Sequence, residues 1–410
     1  LQFDDGTFFL KGGADSPENL LAYTDFDGTT NNGGTDYVRD YNHRQDWNDG
    51  DPTWKNGLGK GLIGALNYLA GEGMTAFSFL TMNVNGDGND VWPWISPGST
   101  LRYDVSKLAQ WDIVFSHADA VGLFKHIKTQ ETENDQYLDG GALGRERKLY
   151  YRELVARFGH HHALNWNLGE EYDVYREKDD GNQSRLKRYA DYIRALDPYA
   201  HPIVVHTYPG QRDDVYPGLL GFENFSGPSI QLSNMSDGEA SSAVQRWINE
   251  SAAAGSVWNV SVDEPGNANS GLQPDSDNNH DQARQVLWAV FFAGGDGLEW
   301  YFGYQYPDDD LDADDWRSRD RFWGFHRYAL EFMRRLPFST MQADDSRLGG
   351  ESGYVFSDGA EVFAVYLTDG GSQATLDLPD GTFNVRWFDP RAGGDLQTGD
   401  TEQIEGGSDV

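Results

Sequence analysis

The chain has no cysteine. That excludes disulfides, thiol nucleophiles and zinc–thiolate centres, and it fixes no compartment. No apolar run reaches the roughly 18 residues that a membrane-spanning helix needs. Lysine is scarce, and 32 basic residues, mostly Arg, face 66 acidic ones for a net charge of −34. Such a surface repels nucleic acid and anionic membranes. It stays dissolved at high salt, which fits a marine or halophilic source, although a plain soluble acidic protein carries the same signature. No G-x-G-x-x-G or G-x-x-x-x-G-K-[ST] follows the first strand-like run, which argues against nucleotide binding. No signal peptide is visible, and Leu1-Gln2-Phe3-Asp4-Asp5-Gly6 reads as the interior of a longer polypeptide.

What is present is an ample supply of core-forming and aromatic residues. Hydrophobic residues make up 38% and aromatics 14%, enough for a sizeable core and too much for a disordered chain. The 410 residues suffice for one large domain with a small one, or for two to three ordinary domains. The 13 Trp and 21 Tyr suit core packing and the flat subsites of a sugar cleft alike.

Along the chain, strand-like and helix-like runs alternate. Strands are expected at 7–13, 75–84, 121–128, 163–169, 203–208, 221–225, 257–262 and 297–302. Helical spacing falls at 60–73, 104–120, 144–158, 183–196, 240–254, 281–293 and 315–336. About eight such units over residues 1–338 predict an α/β fold, a closed (β/α)8 TIM barrel. From 339 to 410 the texture becomes short alternating runs separated by Asp-Gly turns. That predicts a small antiparallel β-sandwich accessory domain, followed by an acidic, Gly-rich tail from Gln397 whose end is expected to be mobile.

Two of the barrel strands end in adjacent carboxylates. Ala163-Leu164-Asn165-Trp166-Asn167-Leu168-Gly169 runs into Glu170 and Glu171, and Val257 to Val262 runs into Asp263 and Glu264. Barrel active sites sit at strand C-termini, and a carboxylate pair from two strands is the chemistry of glycosidic bond cleavage. Neighbours along a strand point to opposite faces, so at each end one acid would face the site while the other braces the wall. Otherwise the strand ends there and releases both. The bland reading is that Glu170 and Glu171 cap the next segment or pair with Arg176.

The run Asn165-Trp166-Asn167-Leu168-Gly169-Glu170-Glu171-Tyr172, after Arg157 to His162, resembles the fourth-strand signature of clan A glycoside hydrolases. It is closest to the apiosidase-like group, also labelled collagenases, whose usual form is Trp-x-Leu-Gly-Asn-Glu-Tyr. The resemblance implies that Glu171 is the general acid/base and Glu264, in Val262-Asp263-Glu264-Pro265, the nucleophile. It implies retention of configuration and makes Trp300 the floor of the sugar subsite. Glu170 stands where the group has Asn. Arg386-Trp387-Phe388-Asp389-Pro390-Arg391-Ala392-Gly393 is similar to the W-[YF]-D-P-R-T-G of the small β-domain labelled collagen-binding. Members of the group often carry a further N-terminal β-domain.

Other candidates follow from strand ends and loops. Asp15 and Glu131 are candidates for sugar hydroxyls, with Glu18, Asn19 and Glu133 beside them, and solvated charge is the bland reading. His206 and Tyr208 end the fifth strand, where a His either orients a carboxylate or is a satisfied structural residue. Trp92 and Trp94, on a loop, are read as subsite platforms, and Trp47 and Trp54 as weaker ones. Asn83 to Asp90 has the look of a calcium loop without its bidentate Glu, and an Asx-turn loop is the competing reading. The acidic run Asp308 to Asp315 reads as solvated. His160, His161 and His162 lack a carboxylate at metal spacing, so no catalytic metal is expected. The combined expectation is a secreted glycoside hydrolase, extracellular or periplasmic, acting on a polysaccharide such as an algal one. It requires no cofactor, with structural calcium left open, and has no nucleic-acid partner and no membrane span. No oligomeric state follows. The alternatives are a glycan-binding or adhesion protein on a degenerate barrel, and a polysaccharide lyase. Arg39, Arg44 and Lys55 form a local basic subsite in this reading.

Overall fold

The computed structural model of the chain describes residues 1–410 except 4, 31–37, 175–182, 277, 351 and 370–373. Arg176, part of the 22–56 loop and part of the turn after Asp369 lie outside the described residues.

Eight parallel strands close into a barrel in sequence order. They are β1 (Lys11–Ala14), β2 (Ala76–Leu80), β3 (Phe124–Lys128), β4 (Leu164–Asn167), β5 (Ile203–Thr207), β6 (Gly227–Gln231), β7 (Ser261–Glu264) and β8 (Gly297–Trp300). Around them lie α1 (Lys60–Gly71), α2 (Val105–Val121), α3 (Arg145–Phe158), α4 (Ser184–Leu196), the short α5 (Arg212–Val215), α6 (Asp237–Ala253), α7 (Asp281–Phe292) and α8 (Asp320–Met333). The expected (β/α)8 barrel is therefore present. Every barrel strand is buried along its whole length, as parallel strands covered by helices must be. Local chemistry sets the helix ends. Asp104 caps α2 by accepting from the backbone N–H of Ser106 and Lys107, and Gly122, at φ 82°, stops the helix.

The sixth strand is not where the aromatic run 221–225 placed it. It lies six residues later, in Gly227-Pro228-Ser229-Ile230-Gln231, and Phe225 packs edge-on against Trp258 instead. Glycine and proline read as strand breakers in a sequence. Here the Gly227 position abuts the carbonyl of Asn259, where a Cβ would stand 1.8 Å from that oxygen.

Inside the barrel, below its C-terminal mouth, runs a polar layer. Lys11 Nζ donates to Glu299 at 2.8 Å, His126 Nδ1 lies 2.6 Å from the same oxygen, and Asn167 Nδ2 lies 2.9 Å from His126 Nε2. All four are buried. A buried ionic layer is tolerated because each member has a partner.

After the barrel come three small antiparallel sheets: Phe363–Leu367 with Gly353–Ser357 and Gln342–Ala343, Leu348–Gly349 with Thr375–Leu376, and Leu378–Asn384 with Gln403–Gly407. The last pairing corrects the expectation of a mobile tail end, because residues 403–407 are strand. The region is seated on α7 through aromatics. Trp288 stacks on Tyr366 with centroids 5.3 Å apart and packs edge-on against Phe332 and Phe388. No helix among the described residues is long and apolar enough to cross a membrane.

Trp288 is buried where four rings meet, and large-to-small changes at such sites cost about 3–5 kcal/mol. Trp288→Ala is expected to lower the unfolding free energy by that amount in urea titration. It should also make the region after Met341 sensitive to limited proteolysis. Unchanged stability and protection would show that the seam does not hold this region to the barrel.

Candidate active site

The site is built at the C-terminal mouth, where strand ends and the following loops converge. Two local distortions solve the alternation problem posed by adjacent carboxylates. At the end of β4 the chain turns, and Glu171 adopts φ 45°, a left-handed conformation that costs a non-glycine residue of order 1 kcal/mol. Hydrogen bonds from Glu170 N to Gln130 O and from Tyr172 N to His206 O, at 2.8 and 2.9 Å, hold the turn between its neighbouring strands. At β7 the register against β6 shifts between Ile230 and Gln231, so that Gln231 pairs with Glu264. This bulge brings Asp263 and Glu264 to the same histidine.

That histidine is His206, fully buried on β5. Its Nδ1 lies 3.3 Å from Asp263 Oδ2 and its Nε2 lies 3.3 Å from Glu264 Oε2, while Glu170 Oε1 is 4.0 Å from Nε2. Burial acts to raise the Asp263 carboxyl, but the charges of His206, Lys128 and His126 outweigh it and hold the group well below the usual carboxylate range. Glu264 is pushed the other way, first by burial and then by the charges of Glu171 and Glu18, with Lys128 opposing.

Glu171 is the half-buried member, at the edge of the group. Gln231 Nε2 donates to its Oε1 at 2.7 Å, and the Tyr208 hydroxyl bonds it as well. Burial raises its carboxyl, against the opposing effects of His206 and the two hydrogen bonds. Glu170 points inward, is 3% exposed, and is driven well above the ordinary range by burial and by Glu18 and Glu171.

The structure adds residues that the strand-end argument did not carry into the site. Lys128, at the end of β3, sits between Asp15 Oδ1 and Glu18 Oε1, 3.0 Å from each. Burial would strip its proton, but Asp15, Glu18, Glu170 and Asp263 together raise its pKa well above that of free lysine. Glu18 lies within 4.8 Å, by ligand-type atoms, of both an Asp15–Glu264 pair and a Glu131–Glu170 pair. His126 and Lys128, alternate residues of the wholly buried run Phe124–Lys128, were the sequence signal for inward-facing charge, while Lys125 turns outward to Asp119 on α2. Gln231 carried no signal while strand six was misplaced.

Several expected platforms lie elsewhere. Trp300 faces outward: its Nε1 donates to His326 at 3.0 Å and its ring meets Phe322 edge-on at 4.4 Å, both on α8. Its inward neighbour is Glu299, as alternation requires. Trp92 and Trp94 are buried, because the 83–103 loop folds back through Asn83–Val91 and Trp94–Tyr103 bridges. Trp94 stacks on Tyr137 and Trp92 lies under Lys107. Trp54 is also buried, stacked on Phe26. Asp15 is fully buried between Lys128 and Ser78, so it balances charge rather than facing a cleft. Glu131 joins the buried group, whereas Glu133 is exposed. Arg39, Arg44 and Lys55 are paired with Asp314, Asp40 and Asp27, which removes the basic subsite. His161, just before the N-terminal end of β4 and so at the opposite end of the barrel from the mouth, is held between Asp119 and Asp112 at 2.7 and 3.1 Å, carboxylates that lie far from it in sequence.

The depressed Asp263 links the site to stability. Its contribution is present above the pKa of an unfolded aspartate, near 4, and is lost as pH falls toward the lower folded value. His206→Gln removes the ring nitrogen that faces Asp263 Oδ2 in a buried setting, at a cost on the order of 3 kcal/mol. Urea unfolding should show that deficit in full at neutral pH and a narrowing gap below about pH 4. An equal gap at all pH values would contradict the pairing.

No protein-family model matches the chain, and no curated protein matches it. Among solved structures the chain is similar to a glycoside hydrolase family 5 protein from Bacteroides vulgatus, with TM-score 0.68 and 14% identity, covering 99% of this chain and 86% of that one. It is also similar to an endo-β-1,4-mannanase from Thermotoga petrophila, with TM-score 0.53 and 14% identity, covering 89% and 85%. A third is an exo-β-1,4-mannosidase from Opitutaceae bacterium strain TAV5, with TM-score 0.51 and 15% identity, covering 82% and 61%. The chain thus has the barrel fold found in these glycoside hydrolases.

Proposed function

We propose that the protein is a retaining glycoside hydrolase acting on a polysaccharide or oligosaccharide, with Glu171 as acid/base and Glu264 as nucleophile. The observation that carries this reading is the convergence of Glu171 and Glu264, from β4 and β7, on one mouth with His206, Tyr208 and Gln231 around them. Glu171 has the better access to solvent, and its raised carboxyl suits a proton donor. Glu264 is seated deeper. Lys128 is the group that favours its ionised form, which attack at the anomeric carbon requires, and His206 Nε2 lies 3.3 Å from its Oε2.

In the first step Glu171 protonates the leaving oxygen while Glu264 forms the glycosyl ester. In the second, Glu171 takes a proton from water, which cleaves that ester. Asp263 holds His206 in place, and His206 in turn orients Glu264. Glu170 stands close to Glu264 and His206 and is a positioning residue rather than the acid. Apiosidase-like chemistry fits the 165–172 motif, and β-mannan is the first substrate to try because two fold neighbours act on β-1,4-mannosidic bonds. Residues 339–410 are read as an accessory β-sandwich domain behind a catalytic barrel at 1–338. Secretion and a saline habitat fit the acidic composition.

The test is product sizing and reducing-end release on a panel of mannans, plant, bacterial and algal polysaccharides. Glu171→Gln and Glu264→Gln are each expected to abolish release, by about a thousandfold or more, while keeping the wild-type circular dichroism. Near-wild-type activity in both variants overturns the assignment. Saturable glycan binding with no new reducing ends identifies a binding protein, and an ultraviolet-absorbing unsaturated product identifies a lyase.

A further inference from the structure

The mouth holds more buried carboxylate than the proposed hydrolysis uses. Asp15, Glu18, Glu131, Glu170 and Glu264 are each at most 4% exposed. Lys128 takes up the Asp15–Glu18 side and His206 the Glu170–Glu264 side. Among the described residues, no lysine or histidine is paired with the remaining side, around Glu131. One oxygen each of Glu18, Glu131 and Glu170 lie within 4.8 Å of one another. Oxygens that share a calcium ion at about 2.4 Å have separations up to about that value.

A second observation points the same way. Asn83 is fully buried, and neither its side-chain oxygen nor its nitrogen has a hydrogen-bond partner. Glu131 Oε2 is likewise buried without a donor, while Oε1 accepts from the backbone of Asp87 at 3.0 Å. These two orphaned acceptors flank one point: a Cβ on Gly86 would stand 1.7 Å from Glu131 Oε2 and 2.7 Å from Asn83 Oδ1. The loop backbone therefore passes tightly over the pair, as only glycine permits. Two buried oxygens that face each other are stabilised by a cation placed between them. Tyr304, from the loop after β8, hydrogen-bonds Asp87 and ties a second loop to this one.

We infer that Glu18, Glu131 and Glu170, with the side-chain oxygen of Asn83, form a binding site for one calcium ion at the barrel mouth. The all-oxygen donor set excludes a preference for soft or imidazole-seeking metals. Three carboxylates and an amide in a buried, crowded pocket favour calcium over magnesium, which keeps several waters and octahedral geometry. The ion would fasten the 83–91 loop to the ends of β3 and β4. This inference stands apart from the hydrolase reading, because it concerns residues to which that reading gives no chemical step.

The experiment uses the full chain, stripped with EDTA and titrated with calcium chloride by calorimetry in about 1 M NaCl, where surface charge is screened beyond ~3 Å. One saturable calcium site per chain is expected, with a melting temperature that rises with calcium concentration. Glu131→Gln and Asn83→Ala should each weaken binding by about tenfold or more. Asp400→Asn, exposed in the C-terminal region, should leave it unchanged. No saturable binding overturns the inference, as does wild-type affinity in Asn83→Ala. If Glu131→Gln fails to fold, Asn83→Ala decides alone. Binding of magnesium chloride with equal or greater affinity overturns the choice of ion.

Discussion

The structure depends on crowding like charges into the dry mouth of a closed barrel. Two unit charges 4 Å apart repel by about 4 kcal/mol at the effective dielectric of a protein. Here several carboxylates lie at such distances around Lys128 and His206. Lys128 and His206 are therefore the fixed points of the site. Each lies on a barrel strand, so neither can move away from the acids it serves. The raised carboxyls of Glu170, Glu171 and Glu264, beside a depressed Asp263, are one consequence of this arrangement. Environments that push acids apart in pKa are what acid/base chemistry needs.

The barrel itself makes the crowding tolerable. Below the mouth, Lys11, His126, Asn167 and Glu299 form a paired polar layer that continues the charge network downward. His126 comes within 3.9 Å of Asp263, so that layer and the site share a member. Above the mouth, loops after β2 and β8 meet through Asp87 and Tyr304. Much of the aromatic surplus in the composition is buried on the strands and helices of the barrel, as with Trp111, Trp166, Trp247, Trp300 and Trp323, rather than lining an open sugar platform.

Much of the fold was legible because strand and helix periodicities alternated over the barrel region, and a β-rich texture marked the rest. What periodicity could not show was a strand made of Gly227, Pro228 and Ser229, whose place is set by close packing against β5 and β7 rather than by propensity. The site was legible as to its positions: both carboxylate pairs stand at strand ends. It was not legible as to direction. A positive φ at Glu171 and a bulge at β7 turned neighbours that alternation would have separated toward one place. Alternation did hold at β8, and there it turned Trp300 away from the mouth. Lys128 was hidden for a simpler reason. Its importance lies in what it meets across the barrel, Asp15 and Glu18, which no local pattern records.

The central claim is that Glu264, oriented by His206, attacks the sugar while Glu171 supplies and removes the proton. The most direct measurement is mass spectrometry of peptides after reaction with a 2-deoxy-2-fluoro glycoside of whichever sugar the protein cleaves. Such a reagent slows breakdown of the covalent intermediate. The account predicts one sugar attached at Glu264. A sugar on Glu170 or Glu171, or turnover with no covalent adduct and inverted configuration of the product, would contradict it.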